Sequence, residues 1–470
     1  MQKDAIIRAL VEKQFLKRTR KYIKDRLSSL PFRIGVFFAT RFVPVEENKI
    51  IFITFRGEYD CNAKWIAEEL HKRKLPYKIV WTIQKNVPVS DIPAEFIKTY
   101  RSSFDFYRHL ASAKIIVDNG VSTAVLCYRK KKDQVLVETW HGSLGIKMFS
   151  KETNKDKQWC KKADLEGRMT DYCLSNSTFE DKIFTDTFWP NARILQLGHA
   201  RNDILCQRDP EVLQPIREKV YSHFGLSQVI ADLKAARHEE LTQWYLAKTG
   251  RALPSASFFA QENPFDALED LSPESLQAFL KAEYAKCEDL RICLYAPTFR
   301  DDGDMRPYQI DYTQLRQALQ TRFGGCWVIL TRFHFRLRKK LKGYKFPAGV
   351  INASGYSDIQ ELLTCTDVGI TDYSSWICDY MLTRKPGFLF ATDMEQYEEK
   401  DREFFYPLDT MPFPLALNNE QLIENILQFD QDRFVKECDV FLKDKGCIDD
   451  GHAASRIADA VERIMKGEKL

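Results

Sequence analysis

A chain of 470 residues, 44% of them hydrophobic, is too long for one ordinary core and apolar enough to build two, so two globular domains are expected. A formal net charge of +4 is small for this length and excludes wholesale nucleic-acid binding, which directs attention to where positive charge gathers. Twelve cysteines with no CxxC pair or zinc spacing, and no signal peptide ahead of them, read as reduced thiols of a cytosolic protein.

Positive charge gathers at the start. Residues 5–44 mix Ile6, Ile7, Leu10, Phe15 and Ile23 with Lys13, Lys17, Arg18, Arg20, Lys21, Lys24 and Arg26. Such a pattern suits a helix lying in a membrane interface, or equally a basic helix packed on the protein's own body. No run of about 18 apolar residues occurs, so no spanning helix is expected.

Beyond this segment the chain alternates. Residues 50–55 read as a buried strand, 63–74 as a helix and 77–82 as a second strand, and the rhythm continues through strands at 114–117, 134–138, 172–175 and 193–197. A further set runs through 291–295, 326–330, 350–352, 367–370 and 387–390. Strand-helix alternation implies parallel sheets, and two such sets imply two Rossmann-like α/β domains facing a cleft, with ligands at the carboxyl ends of strands. Residues 225–289 break the rhythm with a helical pattern and read as an insertion or linker. The expected division is therefore a basic amphipathic segment at 1–45, α/β domains at 46–224 and 290–440 on either side of that insertion, and a C-terminal helix at 441–470.

Polar turns follow these strands. They include Thr139-Trp140-His141-Gly142-Ser143, Gly198-His199-Ala200-Arg201, Ala296-Pro297-Thr298-Phe299-Arg300 and Thr331-Arg332-Phe333-His334. In the last, TDYSSWICDY at 371–380, two serines open a helix-like pattern. Serine there is either a helix cap or part of a phosphate cradle made with free backbone N–H groups. Imidazole and guanidinium groups converging on one side of both sheets favour a ligand site. The nearest acidic cluster, Asp301-Asp302-Gly303-Asp304, follows Arg300 on an expected exposed loop, so neither a metal site nor a cofactor is expected.

Six of these stretches, WHGSLGIK, SNSTFEDKIF, GHARND, LYAPTFRDD, TRFH and TDYSSWICDY, occur in an order and rough spacing that resemble the CDP-glycerol glycerophosphotransferase family. Its members are teichoic-acid primases and polymerases, with ribitol-phosphate and capsule-polymer relatives. The resemblance spans roughly residues 50–430 and implies a GT-B-like fold, with an acceptor-side domain first and a donor-side domain second.

It also implies roles. His141 would deprotonate the attacking hydroxyl, with Gly142, Ser143, Leu144 and Gly145 lining the same turn. Arg332, Phe333 and His334 would stand at the donor phosphates, His334 as a second catalytic group. Arg201, Pro297, Thr298, Ser374, Ser375 and Asp379 would complete the binding of a CDP-activated polyol. The partners implied are that donor, a membrane-linked polymer acceptor and the cytoplasmic face of a membrane, where the chain would sit peripherally; a homo-oligomer is left open. Ser143 and Leu144 stand where Thr-Pro is common, Ala200 for a proline and Phe299 for a tryptophan; the altered turn after His141 and the insertion at 225–289 leave glycerol against ribitol, and priming against polymerisation, undecided. Two other readings compete: a GT-B transferase of nucleotide sugars, and a nucleotide-binding scaffold without turnover.

Overall fold

The computed structural model describes residues 40–470 apart from 86, 123–127, 149–156, 251, 254–288, 301–302 and 401, together with residues 34 and 37. The basic segment expected at 1–45 lies outside the described residues except near its end, as do most of the insertion beyond 250 and the pair Asp301-Asp302.

Seven parallel strands form the first sheet: β1 (Glu46–Ile53), β2 (Lys78–Ile83), β3 (Ile97–Tyr100), β4 (Ala113–Asp118), β5 (Val135–Glu138), β6 (Tyr172–Ser175) and β7 (Arg193–Gln196), in the order β3-β2-β1-β4-β5-β6-β7. Six parallel strands form the second: β8 (Leu290–Tyr295), β9 (Cys326–Thr331), β10 (Val350–Asn352), β11 (Val368–Thr371), β12 (Gly387–Phe390) and β13 (Leu415–Ala416), in the order β10-β9-β8-β11-β12-β13. Central strands such as Ile50-Ile51-Phe52-Ile53 and Ile292-Cys293-Leu294-Tyr295 are buried, which is why they read as unbroken apolar runs. The edge strands β3 and β13, not expected from the sequence, are a polar IKTY and a two-residue pair too short to announce themselves.

Strand order reverses between β1 and β4 in one sheet and between β8 and β11 in the other. A crevice opens at such a switch point because neighbouring connections leave on opposite faces. The turns after β1, β4 and β5 thus belong to one half of a cleft, and those after β8 and β11 to the other.

Packing draws the boundaries differently from the sequence reading. Ile204, Leu205, Val220 and Leu226 are buried in the core of the second domain, and the helix Pro210–Phe224 packs on the helix Ile359–Cys365. The crossing therefore falls between Asn202 and Ile204, earlier than residue 224. Gly225, at φ 61, bends the chain into a further helix, Leu226–Thr249. At the other end two helices, Gln431–Asp444 and Ala453–Met465, stand where one was expected. The second returns to the first domain, burying Ile457, Ala458, Val461 and Ile464 with Ile66 and Leu70. Its first turn is held by Asp203, whose carboxylate accepts from the amides of Ala453 (2.9 Å) and Ala454 (2.7 Å).

Inside the second domain Arg300 is buried, with Tyr308, Tyr373 and Tyr397 around its guanidinium. It meets Asp393 through Nε (2.7 Å) and Asp372 through Nη1 (2.8 Å). Asp372 also accepts from the Thr298 amide (2.8 Å), so one ion-pair network ties the turns after β8 and β11 together. Removing one member of a buried pair strands the other charge. Arg300→Ala should accordingly lower stability by about 3–5 kcal/mol; a urea midpoint within error of the wild type would refute that role.

Candidate active site in the interdomain cleft

Strands β4 and β5 end level, with Asp118 opposite Glu138 in register. Glu138 accepts from the Trp140 amide (2.7 Å) and fixes the start of the next turn. Val121 (φ 63), Trp140 (φ 51) and Leu144 (φ 42) all take left-handed conformations. For the β-branched Val121 this is a true outlier, and such strain gathers where geometry is imposed by function.

That geometry sets the His141 ring. Its Nδ1–H donates to the Asn119 carbonyl (2.6 Å), which leaves Nε2 with its lone pair free in the neutral ring. Phe55 stacks on it at 5.6 Å and 17°, with Trp140 tilted against it at 4.3 Å. Crowding by the cleft walls disfavours the charged ring and pushes its pKa down to about 4; the Asn119 hydrogen bond opposes this and Arg201 adds to it. His141 is nevertheless open to the cleft.

Opposite stands the serine pair. The helix it opens, Trp376–Tyr380, is only five residues long, and the Ser375 side chain makes no capping hydrogen bond. Its Oγ lies 4.0 Å from where a Cβ on Gly142 would be, which puts the second domain in van der Waals reach of the His141 turn; the close approach that favours glycine there is to Trp140 Nε1, at 3.1 Å.

Three adjoining cavities meet here. One of about 250 Å³ is lined by Asp60, Asn119, His141, Ser374, Ser375 and Asp379 among others. A second, about 240 Å³, lies on the Trp140 side of His141 and reaches Ser375, Lys147 and Arg402. The third and largest, about 400 Å³, takes in Pro297, Thr298, Phe299, Arg332, Phe333, His334 and Ser374. His141 and Ser375 are common to the first two, and Ser374 to the first and third.

The remaining expected residues divide. His334 opens into the largest cavity with its ring 5.3 Å from Phe299, and partial desolvation by the cavity walls together with Arg336, Arg56 and Lys147 pushes its pKa down to about 4. Arg332 lines the same cavity but donates to the carbonyls of Tyr356 and Ser357 (3.2 Å for the latter). Phe333 packs on Tyr295, Tyr308 and Phe346, touching the cavity only at its wall. Ser143 accepts from Asn176 Nδ2 (2.9 Å), and Gly145 lines the second cavity. Leu144 is buried in the second domain's core, its amide on Glu180 (3.2 Å) and its carbonyl accepting from Tyr406 (2.6 Å). Asp379 accepts from Arg201 Nε (3.1 Å), Asn202 Nδ2 (3.1 Å) and Gln360 Nε2 (3.1 Å). Those contacts fasten the domains together and leave Asp379 little capacity for a ligand.

Sequence reading passed over Phe55, Arg56 and Asp60, which follow β1 and lie in the first cavity, and Asn119, which follows β4. Position after a strand was the available signal. Burial and the neighbouring Asp358 and Glu58 push Asp60 up to about 7, against Arg332 and Arg56. Lys147 closes the WHGSLGIK stretch but was given no role there, and Arg402 carried no signal. Among the described residues no group of three or more His, Cys, Asp or Glu side chains is arranged to hold a metal, and no helix is long and apolar enough to cross a membrane.

Two parallel α/β domains with a cleft at both switch points define a GT-B-like fold, here with a cationic, imidazole-bearing lining. The chain belongs to the family described as CDP-Glycerol:Poly(glycerophosphate) glycerophosphotransferase, whose profile matches residues 36–230 and 265–463. It is 26% identical over 442 residues to the teichoic acid poly(glycerol phosphate) polymerase of Staphylococcus epidermidis, covering 90% of this chain and 51% of that one. With the teichoic acid poly(ribitol-phosphate) polymerase of Bacillus spizizenii it shares 25% over 472 residues, 96% of this chain and 62% of that one. The chain thus spans about half the length of the first of these relatives. A solved structure of the wall teichoic acid polymerase TagF, a histidine variant, superposes with a TM-score of 0.69 at 23% identity, over 94% of this chain and 97% of the other.

The His141 environment has a measurable consequence. Between pH of about 4 and 6.5 the folded chain keeps this ring neutral while an unfolded chain protonates it, so its contribution to stability is intact above 6.5 and declines as pH falls through that window. An NMR titration should place His141 well below 6.5, and an anionic phosphate ligand in the cleft should raise it. Titration at or above 6.5 in the free protein would contradict the structure.

Proposed function

We propose that this chain transfers glycerol phosphate, or a related polyol phosphate, from its CDP-activated form to a membrane-linked polymer precursor and releases CMP. The observation that carries the reading is the His141 ring, anchored through Nδ1 to Asn119 and open to the cleft opposite Ser375. An alcohol is a poor nucleophile, so in-line attack on the distal phosphorus needs a base and fixed positive donors.

In this mechanism His141 Nε2 takes the hydroxyl proton as the new O–P bond forms. The bond from that phosphorus to the bridging oxygen breaks, and its electron pair leaves with CMP. The donor nucleotide occupies the largest cavity, with Phe299, Pro297 and Thr298 beside the base and Ser374, Ser375 and His334 at the pyrophosphate. Arg332 holds the Tyr356-Ser357 turn and adds positive charge. Arg201 and Asp379 act by holding the two halves in register. A bound pyrophosphate raises the pKa of His141 toward neutrality, which makes it a better base than it is in the free protein.

The decisive assay follows nucleotide release from CDP-glycerol and CDP-ribitol with an acceptor. CMP is expected; CDP would mean glycosyl transfer, and no release would mean a scaffold. His141→Ala should lower turnover on the order of 10² to 10⁴ while donor binding persists. Replacing Ser374 and Ser375 together with alanine should weaken donor binding far more than it lowers the melting temperature, because charge-assisted contacts are lost from a preorganised site. A cap alone would give the reverse.

Peripheral attachment to the cytoplasmic face of a membrane rests on the basic amphipathic residues 5–44. Deleting them should release the chain from anionic liposomes, and salt should weaken binding of the intact chain. Equal binding with and without them would remove the proposal.

A further inference from the structure

The cavity on the Trp140 side of His141 has no part in the transfer as described. It and the Asp60 cavity flank the same imidazole and the same Ser375 hydroxyl, but their charges differ. On the Asp60 side stand the carboxylates of Asp60, Asp358 and Asp379, of which Asp358 is paired with Lys64 (2.7 Å) and Asp379 with Arg201, beside the neutral amides of Asn119 and Gln360, so this side is close to charge-balanced. Two guanidiniums reach it, but Arg201 is paired with Asp379 and Arg56 with Glu58 (3.1 Å). On the Trp140 side stand Lys147 and Arg402. Its one carboxylate, Glu180, is taken up by the amides of Leu144 (3.2 Å) and Asn176 (3.0 Å) and by His199 Nε2 (2.9 Å). One side suits neutral hydroxyls and the other an anion.

The transfer reaction makes that asymmetry meaningful. An acceptor that already ends in a polyol phosphate carries a phosphodiester anion one short polyol away from the hydroxyl that attacks. An acceptor without such an end has no anion there. Resting on the transferase reading above, we propose that the Trp140-side cavity receives the acceptor end and that Lys147 and Arg402 bind the phosphodiester next to its attacking hydroxyl. The chain is then an elongating enzyme, whose acceptor is the product of an earlier polyol phosphate transfer. Neutral hydroxyls of the donor polyol fall to the Asp60 side, across His141. Lys147 is set in place by an antiparallel bridge to Phe404 and reaches Thr298 Oγ1 at 3.5 Å, while Arg402 is exposed. Replacing either side chain therefore leaves the fold intact.

Both cations also border the largest cavity, so the anion they meet could instead be the donor pyrophosphate. Steady-state kinetics with CDP-glycerol separate the two. Two acceptors are needed: a soluble glycerol phosphodiester oligomer and an uncharged acceptor with a free primary hydroxyl. Lys147→Gln and Arg402→Gln should each raise KM for the oligomer on the order of tenfold, the size expected when a charge-assisted contact is lost. KM for the donor and for the uncharged acceptor should stay within about twofold of the wild type. A rise confined to the donor KM, or an equal rise for both acceptors, would overturn the proposal. Calorimetric binding of the oligomer without donor keeps the test separate from the transfer reaction. If the wild type releases no CMP, the transferase reading fails; oligomer binding weakened in both variants would still support the cavity assignment, and binding that is absent or unchanged would overturn it.

Discussion

Everything in the cleft depends on the contact between Asp379 of the second domain and Arg201 and Asn202 of the first. Neither sheet holds a complete site: His141 and Asn119 stand on one, and Ser374, Ser375 and His334 on the other. The Asp379 carboxylate accepts from Arg201, Asn202 and Gln360 in a buried setting, where electrostatic attraction is strong and geometry is tightly constrained. Lys64 adds a second fastening, from the first domain to Asp358 (2.7 Å) and Glu361 (2.8 Å). Buried pairs of this sort add little net stability over a well-packed apolar contact, but breaking one leaves a stranded charge, so they resist sliding of the domains. Rigid register is what the proposed phosphoryl transfer needs, since positioning supplies much of the rate of such reactions.

The chain crosses between domains beside that contact. Arg201 and Asn202 precede Ile204 and Leu205, which are already in the second core. The return is the helix Ala453–Met465, capped by Asp203. Both crossings are therefore tied to the same short turn after β7. Leu144 contributes a third link, because the turn bearing His141 continues directly into the core of the opposite domain. A shift of one domain against the other would pull on the His141 turn itself.

Low pKa values at both His141 and His334 follow from the same construction. Cleft walls and neighbouring cations penalise a protonated imidazole at both positions before any ligand arrives. In the proposed reaction the charge of a bound donor would offset this penalty, so donor binding and the base strength of His141 would rise together.

Sequence by itself determined the parallel sheets, their number and the polar turns at their ends. Buried central strands cannot be written except as continuous apolar runs, and ligand turns cannot be written without small or polar residues. His141, His334, Ser374, Ser375, Pro297 and Thr298 were legible for that reason, and the motif order added the family. Only the tertiary structure decided which of the named residues face the cleft. Leu144 and Phe333 turn into cores, Asp379 is occupied by Arg201, and Arg300 serves an ion-pair network, because an arginine or acid near a ligand and one holding two loops together look alike in a string of letters. The pairing of Lys147 with Arg402, more than 250 residues away in the chain, exists only where the second domain closes over the His141 turn. Burial and cross-domain proximity are long-range quantities, and local pattern carries no record of them.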